Sequence, residues 1–138
     1  MSIPTTQNFL HAAYAGDLTL IQAYHQQGGD LRTDQDNALL WSAHNGHLPV
    51  VQYLCQNGVD IHTGNDEALQ WSAEKGYLDV VQCLIQHGAD VFIGIEAAQH
   101  QPQVLSWLED YQRMQREQDL LSAVETPICN LYSKPQRL

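Results

Sequence analysis

Apolar positions along this chain fall into short clusters that repeat every 30 residues. The stretch from Asn37 to Leu54 recurs from Glu67 to Leu84, with Ala38, Leu39, Trp41, Ser42, Ala43, Gly46, Val50, Val51 and Leu54 each matched by the same residue 30 positions on. A more diverged copy precedes them, carrying Phe9, Ala12, Ala13, Gly16, Leu18, Ile21 and Tyr24. Within each copy an apolar stretch around Ala13, Ala43 or Ala73 predicts a first helix. The glycine after it, Gly16, Gly46 or Gly76, suits the left-handed conformation that closes a helix. The pairs Val50 and Val51 with Leu54, and Val80 and Val81 with Leu84, have the i, i+1, i+4 spacing of one face of a second helix. Gly28, Gly58 and Gly88 suit a second cap, and Asp30, Asp60 and Asp90 can hold the outgoing turn through side-chain hydrogen bonds.

A helix pair of this size cannot bury its apolar face alone. Stacking neighbours removes that surface from water at roughly 25 cal/mol per Å². The repeated Leu, Ala, turn glycine, Val-Val, Leu and Gly-x-Asp frame resembles the ankyrin-repeat family over about residues 5–92, with Ala38-Leu39 and Ala68-Leu69 in place of the family's Pro-Leu. The resemblance implies an all-α solenoid of stacked helix-turn-helix units with short hairpin loops. The period of 30 is shorter than the roughly 33 residues of the family, and the shortening falls in the hairpin between Asp60 and Ala68. The units divide as 5–34, 35–64 and 65–92. A degenerate fourth at 93–109 fits once six residues are deleted, so that Ala97 aligns with Ala73 and Leu108 with Leu84.

The ends read as caps. His25 stands where Cys55 and Ile85 stand in later copies, as expected of an end unit meeting water. Pro102 suits the first turn of a helix. Tyr111, Met114, Leu120, Leu121 and Val124 predict a capping helix at about 110–125 that covers the last exposed face. One domain thus spans 1–125, and 126–138, with two prolines and few apolar anchors, reads as a flexible tail.

Charge narrows the range of partners. The net charge is −10, and residues 1–99 carry only Arg32 and Lys75 against eleven carboxylates. Such a surface repels phosphate backbones and anionic lipid, so neither nucleic acid nor membrane is expected, and a protein with a basic patch is favoured. The start of the chain lacks a cationic and apolar signal segment, and the reading is a cytoplasmic monomer. Cys55, Cys83 and Cys129 show no metal-site spacing in sequence, and Cys55 and Cys83 read as buried free thiols.

Candidate chemistry is that of a binding module. Signatures of phosphate loops, metalloproteases, nucleophile elbows and catalytic cysteines are absent from the sequence, so neither catalytic residues nor a cofactor are expected. His44 and His47 flank Gly46 without a third ligand, and no metal is expected there. In the ankyrin family the first helices and loops line the partner-binding face. Carried over by position, this implies Tyr14, His44, Asn45, Glu74 and Lys75 just before the turn glycines. At the starts of the first helices it implies Asp36, Asp66 and Glu67, for which helix capping is the competing role. Trp41 and Trp71 are either packed between repeats or open as anchors. The expected function is non-enzymatic protein binding. The alternatives are an acidic inhibitor or immunity-type protein blocking a basic enzyme or toxin, and an effector exported into a host cell with the segment after Thr126 as its signal.

Overall fold

The computed structural model describes residues 5–133, and their side chains as far as residue 123. These residues form α1 (Thr6–Ala15), α2 (Leu18–Gln26), α3 (Thr33–His44), α4 (Leu48–Gln56), α5 (Thr63–Lys75), α6 (Leu78–Gln86), α7 (Val91–Ala97) and α8 (Pro102–Ser133). Odd-numbered helices pack side by side as one layer, α1 on α3 on α5 on α7, and even-numbered helices form a second, α2 on α4 on α6 on α8. The core lies between the layers. Val50, Val51, Leu54, Val80, Val81 and Leu84 are fully buried, as their spacing predicts, together with Phe9, Ile21 and Leu108. Burial of each such side chain contributes roughly 1.5–3 kcal/mol.

The helix joints follow from glycine. Gly16, Gly46 and Gly76 have φ of 82°, 74° and 82°. A residue just after this joint ties the second unit to the first and the fourth to the third. His47 Nε2 lies 2.8 Å from the Tyr14 carbonyl, and Gln101 donates to the Glu74 carbonyl at 2.9 Å. Gln101 reaches this place only with the six-residue deletion, so the degenerate unit keeps the joint of a full one. The aspartates at 30, 60 and 90 each accept the backbone N–H two residues ahead, at 2.9 Å in every copy.

The short hairpin between Asp60 and Ala68 takes the form of a single left-handed turn. Gly64, Asn65 and Asp66 have φ of 65°, 61° and 59°, and Asp34, Gln35 and Asp36 repeat the turn one unit earlier at 58°, 58° and 61°. Right-handed helix begins only after Asp36 and Asp66. Three successive left-handed residues reverse the chain in the least length, which accounts for the short period.

Two expectations at the ends are corrected. His25 is not fully open to water on an end face: it is half-buried, its ring turned toward the second unit, where Nδ1 lies 2.7 Å from the Tyr53 hydroxyl. The capping helix is not separate either, because α8 joins it to the second helix of the fourth unit. Val104 and Leu108 close the core, and Leu105 and Tyr111 lie partly buried against it. Beyond them Met114, Leu120 and Leu121 are exposed, so this part of α8 does not cover the last face. The backbone of the segment expected as a tail continues α8 to Ser133, and its last five residues lie outside the described ones.

Candidate protein-binding face

The layer of first helices aligns equivalent residues of successive units, and here the alignment produces an aromatic ladder. The Tyr14 and Trp41 rings meet edge to face at 5.9 Å, and Trp41 lies 6.4 Å from Trp71. His44 fits between the tryptophans, 6.3 Å from Trp41 and 5.1 Å from Trp71, approaching both rings at about 80°. Tyr14 remains 51% exposed and Trp41 39%, while Trp71 and His44 are half-buried. The tryptophans are therefore both packed between repeats and open at one edge. Among the described residues the His44 Nδ1 atom is buried without a hydrogen-bond partner.

Next to the ladder, between α5 and α7, Asn65, Gln70, Glu74, Ile93, Glu96 and Ala97 line a groove of about 240 Å³. Glu74 and Glu96 put two exposed carboxylates on its walls. The Gln70 amide is fixed by donation to the Asn65 carbonyl at 2.8 Å. Glu96 was missed in the sequence because its unit has lost its regular spacing, although it stands 30 residues after Asp66.

The remaining candidates divide by environment. Lys75 is exposed at the end of α5. Asn45 is half-buried, and its amide donates to the Trp41 carbonyl at 2.9 Å, closing the end of α3. Glu67 is half-buried beside the turn glycine Gly64. Asp36 and Asp66, expected on the open face, are buried, at 5% and 2% exposure. Asp36 accepts from the Asp60 N–H at 3.3 Å and the Thr63 hydroxyl at 3.2 Å, with the Arg32 guanidinium 3.6 Å away. Asp66 accepts from the Asp90 N–H at 2.9 Å and lies 2.6 Å from His62 Nδ1. Each carboxylate ties the turn opening one first helix to the turn opening the next. Their left-handed backbone directs the side chains along the stack, away from any partner.

On the opposite layer Cys55 and Cys83 face one another across α4 and α6. The hydrogen bond from Cys55, then the nearby His87, bring the Cys83 thiol down to about 7 against the opposing effect of burial. Donating that bond, and burial after it, raise the Cys55 thiol. His47, one of the two histidines at the turn after α3, is already engaged with the Tyr14 carbonyl.

A family model described as Ankyrin repeats (3 copies) matches residues 9–94, the span that carries the 30-residue period and the turn glycines. The chain belongs to the ankyrin-repeat family. Three repeats are matched, and the degenerate unit that ends in α8 lies almost wholly beyond the matched span. No curated protein matches the chain. Ankyrin repeats are generally non-enzymatic modules of protein–protein interaction. Among the described residues no helix is long and apolar enough to cross a membrane.

Proposed function

We propose that this ankyrin protein binds a basic segment of a partner protein on the layer of first helices. The ladder of Tyr14, Trp41 and Trp71 supplies the apolar anchor, and the groove carrying Glu74 and Glu96 seats a lysine or arginine. The observation that carries this reading is the half-exposed ladder running over three units with an acidic groove beside it. Aromatic rings buried at the centre of an interface dominate binding energy, and a guanidinium over an indole face adds a cation–π attraction. The net charge of −10 would speed encounter with a basic surface. The monomer and the cytoplasm are part of the same proposal.

Two narrower readings use the same surface. An inhibitor or immunity-type protein would occupy the substrate site of a basic enzyme or toxin, a role favoured by the concentration of negative charge in residues 1–99. An effector would carry the same face into a host cell.

Capture from lysate tests the face. The wild-type chain is compared with Tyr14→Ala/Trp41→Ala/Glu74→Gln/Glu96→Gln and with a control, Gln52→Ala/Gln56→Ala, on exposed positions of α4. A protein held by the wild type and the control but lost by the first variant supports the proposal. For that protein, Trp41→Ala alone is expected to weaken binding by at least about 2 kcal/mol, and association should slow as salt is raised. Equal retention by all three chains overturns the assignment of the face.

A further inference from the structure

The first two interfaces between second helices, α2 with α4 and α4 with α6, have an equivalent slot, formed by one residue from the earlier helix and the residue 28 positions later. In the first interface the slot holds His25 and Tyr53, joined by a hydrogen bond of 2.7 Å. In the second it holds Cys55 and Cys83. One turn after Cys83 stands His87, whose Nδ1 lies 3.9 Å from the Cys83 sulfur and donates to the Cys83 carbonyl at 2.8 Å. The two sulfurs and a ring nitrogen of His87 all lie within 4.8 Å of one another. Both thiols are buried, whereas His87 is exposed at the end of α6.

We propose that Cys55, Cys83 and His87 form a metal site of the zinc class that staples α4 to α6. Two thiolates and an imidazole are the donors that soft and borderline cations select, in contrast to the carboxylates and carbonyls preferred by calcium and magnesium. In a tetrahedral zinc site, bonds of about 2.3 Å to sulfur and about 2.0 Å to nitrogen place the donors roughly 3.5–3.8 Å apart. The present spacing therefore has to contract by no more than about 1.3 Å at its widest, through χ rotations at His87 and the cysteines. On binding, the two thiol protons pass to solvent. The imidazole proton moves from Nδ1 to Nε2, and the metal replaces the bond to the Cys83 carbonyl. The fourth position, on the exposed side by His87, is open to water. The sites are 28 and 4 residues apart and come from two repeats, which is why no spacing motif marks them.

The test uses the full chain, reduced, in a Cys129→Ser background so that only two thiols remain. Co²⁺ is titrated first and then displaced by Zn²⁺. The expected result is one equivalent of metal, a thiolate-to-cobalt charge-transfer band, d–d bands of tetrahedral strength, and bleaching by zinc. Zinc should also raise the thermal midpoint. Cys83→Ser, checked for folding by circular dichroism, should abolish the bands. His87→Gln alters an exposed residue and keeps the test decisive if the serine variant unfolds: it should weaken zinc binding at least tenfold. Absence of the thiolate band in the parent, or unchanged affinity in His87→Gln, overturns the site. A partner lost or retained on the opposite face bears on neither result.

Discussion

Buried aspartates do different work from surface ones, and here the difference decides which residues are available to a partner. Asp66 is 2% exposed and is the acceptor for the Asp90 N–H. Asp66→Ala should cost about 2–3 kcal/mol, because a charge-assisted hydrogen bond is lost and a donor is left unpaired. Urea unfolding would measure it, with Asp34→Ala, at an exposed position of the equivalent turn, falling well below. The left-handed turn offers a test of opposite sign. An L-residue in that conformation costs roughly 1–2 kcal/mol, whereas glycine's extra entropy in the unfolded chain costs about 0.5–1. Gln35→Gly is therefore expected to stabilise the fold by about 0.5–1 kcal/mol, readable in the same unfolding curves. At this scale the sequence was only partly legible. Asp36 and Asp66 look like helix caps or surface acids, and their burial depends on three successive backbone angles that no local pattern announces. The pairing of Trp41 with Trp71 was visible in the period, but not the histidine fitted between them.

Elements were more legible than side chains, because an element is fixed by many positions at once. Val-Val-x-x-Leu defines a buried stripe wherever it falls, and Gly16, Gly46 and Gly76 close a helix for a steric reason that holds in every copy. The elements that departed from expectation lie where the period fails. In α8 the spacing of Tyr111, Met114, Leu120 and Leu121 suggests a face, yet Val104 and Leu108 already seal the core, and the helix runs on with those later residues exposed. Ending the chain after Gln112 should therefore leave stability within about 0.5 kcal/mol of the full chain. A drop of several kcal/mol in urea unfolding would show that residues beyond Gln112 pack on the stack. The cysteine cluster was invisible for a related reason: its members belong to different elements, α4 and α6, and only stacking brings them together.

For the molecule as a whole, the fold was legible from self-comparison. A 30-residue period with a helix-glycine-helix frame leaves few architectures other than a stack. The working face was legible as a layer, since equivalent positions must align, while its acidic groove depended on Glu96 in a unit that has lost the period. The same alignment governs how the protein can grow. The unit 35–64 carries both halves of its seam: the acceptor Asp36, and the donors Asp60 and Thr63, 24 and 27 residues later. A copy of residues 35–64 spliced in after position 64 would bring its own acceptor, its own donors and the same Val-Val stripe, so its junctions repeat contacts already present. Such an insertion should raise the thermal midpoint in proportion to one added interface, and a fall would show that the seams are not interchangeable. Tandem duplication of a 90-base segment is thus a mutation this gene product can absorb in one step, and lengthening or shortening by whole units is an available route for its descendants to change the reach of the aromatic ladder without redesigning the fold.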